Sequence, residues 1–270
     1  MISSFQPLYK ANGKEVFSSD VIAALEKVGI KNGDTIFVHS DVSVFGKLAF
    51  PLGRELLLGA LVEVLKRAVG REGTLIMPTF TYSFCKGEIY DIDKSRSTVG
   101  ALTEFFRNQP GVKRNFQPIF SVAAWGKNKA NYLKTGKDSS GKDSIFDKLL
   151  KGKGKIVFFG ASFQSCTFLH FVEQTQGVPY RHLKTFRGWI KNKQEKYRDE
   201  CVFLVRNLNQ EIIKDTSKLE RHLNRKKLIK RVGLGTGEIL AVNVTDLFRE
   251  ATRMLKRNAY YFLKGKPNEK

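Results

Sequence analysis

The sequence predicts an α/β fold with a mixed, mainly parallel sheet flanked by helices, and a small antiparallel strand pair in the C-terminal third. In residues 1–180, short apolar segments rich in β-branched and aromatic residues alternate with helical patterns, which is typical of βαβ units. From Lys184 onward, two segments of alternating polar and apolar residues predict the antiparallel pair. No linker or internal repeat divides the 270 residues. We therefore expect one domain, in which residues 1–180 carry the site and residues 181–270 form a basic subregion.

The N-terminal elements follow from capping residues and apolar spacing. Ser18, Ser19 and Asp20 are N-cap candidates before a segment whose apolar residues recur at helical spacing. Pro51 begins the next predicted helix, which a glycine-bounded turn at residues 70–73 ends. The remaining elements predicted in this part are strands at residues 35–40, 74–80, 121–125 and 155–161, and helices at residues 51–69 and 98–108.

The C-terminal third has a different predicted pattern. A charged segment at residues 191–200 joins the two antiparallel strands at 185–190 and 201–207. Two helices follow at residues 217–232 and 243–263, separated by a short strand at 238–242.

The net charge is the strongest signal in the composition. The chain has 47 Lys and Arg against 26 Asp and Glu, a formal charge of +21. Residues 181–270 hold 23 of the basic and 10 of the acidic side chains, and the densest cluster is Arg221–Arg231 on a predicted helix. No RNA-binding aromatic motif or zinc finger accompanies the cluster. A solvated helix face and a site for an anionic ligand both fit it, and nucleic acid is a less favoured partner.

Composition also limits the class of protein. Hydrophobic residues make up 41% of the chain, with 21 Phe, enough for a packed core. No apolar run approaches the roughly 20 residues of a membrane span, and the N-terminus lacks the pattern of a secretory signal. The three scattered cysteines fit a reduced interior and show no metal-ligand spacing. We expect a cytoplasmic protein without a membrane span or a bound metal, and a homo-oligomer is allowed.

The loop that follows the first predicted strand is a candidate anion site. It contains His39, Ser40, Asp41, Ser43 and Gly46, so it offers small hydroxyls and backbone N–H groups at the carboxyl end of a strand. Open α/β sheets bind ligands at such an edge. The loop lacks the glycine spacing of a P-loop, and an ordinary strand-to-helix turn also fits.

A second loop, at residues 78–99, is long and irregular, which in a compact domain is typical of a functional segment. It carries Tyr82 and the acids Glu88, Asp91 and Asp93, and these three carboxylates could bind a cationic or amino substrate. They also fit as solvated acids of a loop. A third loop, at residues 114–118, contains Gln117 and leads into the next strand.

The fourth loop contains the pair His170 and Glu173. If this segment is helical, the two side chains lie at i and i+3 and share one face. A carboxylate beside an imidazole fixes its tautomer and keeps the free nitrogen basic, as a general base requires. A structural histidine satisfied by its neighbour is the alternative.

The loops taken in order resemble the antibiotic (aminoglycoside) 3-N-acetyltransferase family, whose members use acetyl-CoA and are distinct from the GNAT acetyltransferases. The resemblance covers about residues 17–180, and the closing segment GLGTGEILAVNVTDLF agrees more weakly. The blocks that carry it are GDTIFVHSDVSVFG, GTLIMPTFTYSF, STVGALTEFFR, RNFQPIFSVAAWG and CTFLHFVEQTQ.

The resemblance implies roles for several residues. The catalytic base maps to His170, with Glu173 close to it, and substrate contacts fall in the second and third loops. The first loop lines the pantetheine and pyrophosphate of CoA, through the residues His39, Ser40, Ser43, Val44, Phe45 and Gly46. The residues predicted to bind the acceptor are Tyr82, Glu88, Asp91 and Gln117.

Two departures from the family pattern bear on the acceptor. Gln117 stands where the family commonly has a second histidine, so any acid–base role at that position is lost. Asp41 stands where a small hydroxyl is common. Because a chain of +21 repels polycations, we predict an acetyl-CoA-dependent N-acetyltransferase that acts on an amino sugar, nucleotide-linked or a glycan precursor. The alternatives are an aminoglycoside 3-N-acetyltransferase that confers resistance and, from another class, a non-catalytic protein that binds nucleic acid or another polyanion.

Overall fold

The structure is a computed structural model that describes residues 6–209 and 211–267. In the described ranges, no helix is both long and apolar enough to cross a lipid bilayer. The helices α1 to α8 are Ser18–Lys27, Arg54–Val69, Ala101–Arg107, Lys129–Leu133, Ile145–Lys151, Leu169–Gln176, Ser217–Arg225 and Val244–Arg257. The strands β1 to β13 are Tyr9–Ala11, Lys14–Val16, Thr35–Ser40, Lys47–Leu48, Thr74–Pro78, Tyr90–Asp91, Lys113–Arg114, Val122–Gly126, Lys155–Phe159, Arg181–Asn192, Glu195–Arg206, Ile229–Leu234 and Gly237–Asn243.

The main sheet has seven strands in the order β12-β13-β9-β3-β5-β8-β7. The predicted mixed α/β class is confirmed, but parallel pairing is limited to the centre, where β3 pairs with β9 and β5. The other four strand pairs of the main sheet are antiparallel, because β8 and β13 run opposite to the central strands β5 and β9. β12 and β13 come from the C-terminal third, so this sheet draws strands from both sides of residue 180.

Two hydrophobic cores cover the two faces of the sheet. Phe37 and Ile76 point into one core, against the helices α4 to α8. Their neighbours Ile36, Val38 and Leu75 point into the other core, against α1 to α3. Since alternate residues of a strand face opposite sides, a strand buried on both faces is apolar throughout, as the sequence of β3 and β5 is.

The predicted loops meet at one edge of the sheet. β3, β5 and β9 end there, and the first, second and fourth loops follow them. The third loop joins the end of the short strand β7 to the beginning of β8. Because β8 is antiparallel to β5, with Val122 opposite Pro78, its beginning lies at the same edge.

The predicted strand pair is confirmed and longer than expected. β10 and β11 pair antiparallel over their full length, from Arg181 opposite Arg206 to Asn192 opposite Glu195. The charged segment at residues 191–200, predicted as a connection, is mostly strand, and the turn is tight, with Lys193 at φ 55°. Its charged side chains are largely exposed, so they do not oppose strand formation.

The basic cluster Arg221–Arg231 was wrongly predicted as one helix. α7 ends at Arg225, Lys227 takes a left-handed φ of 57°, and the chain continues into the edge strand β12. Ile229 and Leu234 are the buried positions of β12, and charged residues on an edge strand discourage pairing with other chains.

Other predicted ends shift by a few residues. The helix predicted from Pro51 begins at Arg54, and the one predicted at 98–108 begins after Gly100, whose φ is 124°. The last helix ends at Arg257 rather than residue 263, because the chain becomes extended at Asn258 and then bridges back to Lys214.

Arg114 fastens the second loop to the sheet. Its guanidinium donates to the carbonyl oxygens of Thr79 (2.5 Å), Ile92 (3.2 Å) and Ser95 (2.5 Å). It also lies 5.1 Å from the ring centre of Tyr90. The Arg114 guanidinium therefore donates hydrogen bonds to several carbonyl oxygens of this irregular loop, and these oxygens have no partner in a neighbouring strand.

We expect Arg114→Met to lower the free energy of unfolding by about 3 kcal/mol, since it leaves buried carbonyl oxygens without donors. Chemical denaturation measures this loss. Lys113→Met, at the exposed neighbouring position of β7, is the control and should change stability by less than about 0.5 kcal/mol. Equal losses in both variants would contradict the role assigned to Arg114.

Candidate active site

His170 and Glu173 lie on α6, beside the sheet edge where the predicted loops meet. Nδ1 of His170 is 3.1 Å from Oε2 of Glu173, at an angle too bent for a well-formed hydrogen bond. The predicted i, i+3 arrangement is therefore present, with the carboxylate on the Nδ1 side of the ring.

The carboxylate of Glu173 has two further partners. The hydroxyl of Tyr180 donates to Oε1 at 2.9 Å, and Nε of Arg181 lies 3.0 Å from Oε2. The Glu173 side chain is only 4% exposed. Burial alone would raise its pKa, but the contact with His170 and the charge of Arg181 outweigh burial and lower the pKa of Glu173 to about 2. Glu173 is therefore ionised at neutral pH.

The imidazole of His170 lies between aromatic rings, 5.6 Å from that of Phe120 and 6.4 Å from that of Phe203. Burial lowers the pKa of His170 below its usual value, and Glu173 only partly opposes that effect. The side chain keeps 17% exposure, and no residue of the described part of the chain forms a hydrogen bond with Nε2. A neutral ring with a free Nε2 can accept a proton from a ligand.

Lys214 is a charged residue near the pair that was not predicted from the sequence. Its Nζ donates to the carbonyl oxygen of Gln164 at 2.7 Å. Burial lowers the pKa of the Lys214 ammonium, and its charge in turn lowers the pKa of both His39 and His170. No sequence motif near Lys214 indicates this position, because Lys214 follows the β10–β11 hairpin and lies near His170 only in the folded chain.

His39 lies under the first loop rather than in it. Its ring stacks on Phe158 at 5.5 Å, and its Nε2 is 3.5 Å from the hydroxyl of Thr167, three residues before His170. Burial, with the charge of Lys214, lowers the pKa of His39 to about 3. This uncharged histidine links the end of β3 to the start of α6.

A cleft of about 620 Å³ lies beside the first loop and the first turns of α2 and α3. Of the six residues predicted to bind CoA, Ser40, Ser43 and Gly46 line this cleft. The buried Oγ of Ser40 has no partner among the described residues. Asp41 caps the loop by accepting from the backbone N–H and hydroxyl of Ser43, which accounts for an acid at this position.

The side chains of Val44 and Phe45 point away from the cleft. Phe45 is fully buried and packs on Tyr9 and Phe159, with ring centres 5.9 and 4.9 Å away. Val44 packs against Gly237, where no larger residue would fit. Their carbonyl oxygens accept hydrogen bonds from Thr236, so both residues hold the loop against β13.

The four residues predicted to bind the acceptor do not come together. The ring of Tyr82, at a left-handed φ of 56°, packs near Phe120 and Phe203, the rings that flank His170. Glu88 is exposed. Asp91 accepts from the backbone N–H groups of the following turn and lies 3.6 Å from the ammonium of Lys191.

Gln117 is buried and fully engaged. Its Oε1 accepts from the N–H groups of Ile119 and Phe120, and its Nε2 donates to Cys201 at 2.9 Å and Ser139 at 3.3 Å. The amide therefore orders the loop that presents Phe120 to His170. It has no free polar atom for an acceptor.

The mixed α/β sheet thus carries a buried His–Glu pair and a ligand-sized cleft on the segments that follow β9 and β3, as an enzyme active site of the α/β class would. Solved structures of aminoglycoside acetyltransferases share the fold. The apoenzyme of AAC(3)-IVa has a TM-score of 0.74 at 23% identity, with 92% of this chain and 91% of that chain covered. The binary complex of AAC-IIIb with CoASH has a TM-score of 0.76 at 20% identity, with 93% and 98% covered.

The chain belongs to the aminoglycoside 3-N-acetyltransferase family, whose sequence model matches residues 37–256. One relative is the SPbeta prophage-derived aminoglycoside N(3')-acetyltransferase-like protein YokD of Bacillus subtilis (strain 168), 27% identical over 65% of this chain and 74% of YokD. Another is aminoglycoside N(3)-acetyltransferase IV of Salmonella sp, 25% identical over 91% of this chain and 89% of that protein.

This membership confirms the predicted family and the predicted enzyme class, a CoA-dependent N-acetyltransferase with acetyl-CoA as co-substrate. Within residues 6–209 and 211–267, no group of three or more His, Cys, Asp or Glu side chains is placed to hold a metal ion.

We expect Glu173→Gln to lower the free energy of unfolding by about 3 kcal/mol at pH 7, since it leaves the Arg181 guanidinium buried without a counter-charge. The pKa of Glu173 is lowered from the usual carboxyl value of 4.5 to about 2. Its contribution is therefore present above pH 4.5 and lost as the pH falls towards 2, so the difference between wild type and variant should shrink by pH 4.

Chemical denaturation at pH 7 and pH 4 measures both effects. The control is Glu72→Gln, which removes an exposed carboxylate paired with Lys127 and should cost less than about 1 kcal/mol. If Glu173→Gln costs no more than this control, the buried carboxylate does not have the assigned role.

Proposed function

We propose that this protein transfers the acetyl group of acetyl-CoA to an amino group of an amino-sugar acceptor, with His170 as general base. The observation that carries this proposal is the neutral imidazole of His170, with the carboxylate of Glu173 at 3.1 Å from Nδ1 and no hydrogen bond to Nε2 from the described residues. An amine becomes nucleophilic only when unprotonated, so a base at this position serves the chemistry of acyl transfer.

His170 moves one proton in the proposed mechanism. Its Nε2 accepts the proton that the acceptor amine loses as the amine nitrogen bonds to the acetyl carbonyl carbon. Glu173 stabilises the imidazolium that forms, because its ionised carboxylate lies beside Nδ1. The same proton returns from Nε2 to the sulfur as the carbon–sulfur bond breaks, which leaves His170 neutral for the next turnover.

Tyr180 and Arg181 act in this proposal through Glu173. Their contacts keep the carboxylate ionised and fix its direction. The Tyr180 hydroxyl cannot compete as a base, because burial and the neighbouring Glu173 charge raise the pKa of this phenol well above its usual value. Both residues are therefore positioning residues.

The first-loop cleft fits the co-substrate. At about 620 Å³ it has the size of a small-molecule site, and the unpartnered, buried Oγ of Ser40 offers a hydrogen bond inside it. We assign Ser40, Ser43 and Gly46 to holding acetyl-CoA, together with Arg54, whose charge suits a phosphate. His39 would act beneath the loop, by keeping it next to Thr167.

For the acceptor, the relatives favour an aminoglycoside. The family is that of aminoglycoside 3-N-acetyltransferases, one named relative is aminoglycoside N(3)-acetyltransferase IV, and structures of the same fold include AAC-VIa bound to sisomicin. We propose an aminoglycoside amino group as the first acceptor class, with the exposed Glu88 as its carboxylate contact.

A second acceptor class is an amino sugar that carries phosphate, such as a nucleotide-linked sugar. The observation that favours it is Lys214, a half-buried cation whose charge acts on both site histidines. A positive charge at this depth opposes a polycationic acceptor and attracts an anionic one.

We expect His170→Ala to lower kcat by about a thousandfold or more while leaving CoA binding intact, since it removes the proton acceptor and no cleft residue. In the wild type, kcat/KM should rise with pH through an apparent pKa below 6.5, because burial holds the His170 pKa below that value. Thiol release, measured over a range of acceptor concentrations from pH 5 to pH 8, gives both kcat and kcat/KM.

The matched control is His182→Ala, which alters an exposed histidine of β10 and should leave turnover and its pH profile unchanged. Full activity in His170→Ala would remove this residue from the mechanism.

An acceptor panel distinguishes the two acceptor classes. We expect mass spectrometry to detect monoacetylated sisomicin or apramycin after incubation with acetyl-CoA, since the relatives favour aminoglycosides. Acetylation of a nucleotide-linked amino sugar alone would support the second class instead. Absence of product from both sets, in a protein that still binds CoA, would contradict an amino-sugar acceptor.

A further inference from the structure

α7 presents three basic side chains to one cavity. Lys218, Arg221 and Arg225 lie at positions i, i+3 and i+7 of this helix, and so on one face. Together with Asn224 and Tyr261 they line a cavity of about 490 Å³. The opposite face of α7 is packed into the core through Leu219, His222 and Leu223. This basic cavity and the first-loop cleft have no lining residue in common.

The three cations lack carboxylate partners in the described part of the chain. Nζ of Lys218 donates to the carbonyl oxygen of Leu263 at 3.3 Å, and Arg221 donates to the hydroxyl of Ser217 at 3.2 Å. No carboxylate in residues 6–209 or 211–267 lies within ion-pair distance of Arg225 either. Asp215, three residues before Lys218, accepts from the backbone N–H of Ser217, and Lys218 acts on it only through the charge that helps to lower the pKa of Asp215.

Two neighbouring cations of the Arg221–Arg231 cluster are paired with carboxylates. Arg231 donates to Glu220 and Glu238, each at 2.6 Å. Lys226 lies 2.9 Å from Glu250. The carboxylates nearest the basic cavity are therefore engaged by other cations, and none of them neutralises Arg221 or Arg225.

A short segment, residues 214–216, connects the basic cavity to the candidate active site through hydrogen bonds. Just before α7, Lys214 and Thr216 bond to Gln164, the residue that lies between β9 and the His170 helix. On the far side, Leu263 bridges Lys214 and its carbonyl oxygen accepts from Lys218. A ligand in the basic cavity would therefore contact the segment that holds Lys214 beside the site histidines.

The shape and chemistry of the basic cavity favour a compact anion. Guanidinium groups match phosphate oxygens in bidentate geometry, and Tyr261 adds an aromatic surface. A concave site lined by five residues suits a phosphate or diphosphate group rather than the continuous surface that tracks a nucleic-acid backbone.

We propose that the basic cavity formed by Lys218, Arg221, Arg225 and Tyr261 is a binding site for a phosphate or diphosphate group of a ligand. The group could belong to CoA or to a phosphorylated acceptor, which share this chemistry. The proposal does not depend on acetyl transfer, because phosphate binding can be measured without turnover.

The test is calorimetric titration of the full-length protein with inorganic pyrophosphate at low ionic strength. The double variant Arg221→Glu/Arg225→Glu should weaken binding about tenfold or more, since it reverses two charge-assisted contacts. Arg71→Glu, on an exposed turn between α2 and β5, is the control for altered net charge and should bind pyrophosphate as the wild type does.

CoA titrations identify the source of the phosphate. A parallel loss of CoA affinity in the double variant assigns the basic cavity to CoA, and unchanged CoA affinity assigns it to another phosphorylated ligand. Both results support a phosphate site. Equal pyrophosphate binding by the wild type and the double variant would overturn the proposal, and so would an equal loss in Arg71→Glu.

Binding of a DNA oligonucleotide that is lost in the double variant, without measurable pyrophosphate binding by the wild type, would overturn the proposal in favour of a nucleic-acid surface.

Discussion

The buried carboxylate of Glu173 is the constraint on which the active site depends. An ionised group that is 4% exposed is costly unless it is paired and hydrogen-bonded. Its partners come from α6 itself and from the start of β10. The pairing therefore fixes the long hairpin against α6, and the hairpin in turn brings Phe203 to the face of His170. In the proposed mechanism, stability and catalysis share this interaction, because the carboxylate that fixes the hairpin also lies beside the proposed base.

The positive charges of the chain have different surroundings in different parts of the structure. Close to the reacting centre both histidines are uncharged, since burial lowers the pKa of His39 and of His170. Lys214 adds a half-buried positive charge there. Farther away, part of the Arg221–Arg231 cluster is neutralised by Glu220, Glu238 and Glu250, and part of it lines the basic cavity. A net charge of +21 thus has local consequences that differ from one region to the next.

The sequence predicted the elements whose signal is local. The apolar strands β3, β5 and β9 were evident because they are buried on both faces, and the pair His170–Glu173 was evident from helical spacing alone. The antiparallel direction of β8 and β13 could not be predicted, since strand direction depends on how distant segments pack. The structure of Arg221–Arg231 was misjudged because charged side chains fit a solvated helix and an edge strand equally well.

The partners of the site residues depend on contacts between segments distant in sequence. Gln117 has the polarity of a substrate contact, but its hydrogen bonds to Cys201 and Ser139 exist only once the hairpin packs on the third loop. The same is true of Lys214, which forms its contact with Gln164 from beyond the hairpin. Polar residue types and loop positions therefore predicted that these loops meet at one edge of the sheet, while the partners of each residue required the tertiary structure.

The central claim is that His170 is a neutral base whose Nδ1 carries the proton and whose Nε2 is free. Nitrogen-15 NMR of the histidine side chains, with His170 assigned by comparison with His170→Ala, measures its pKa and its tautomer in one titration. The account predicts a pKa below 6.5 and the proton on Nδ1, beside Glu173. A pKa above 6.5, or a neutral form protonated on Nε2, would contradict it.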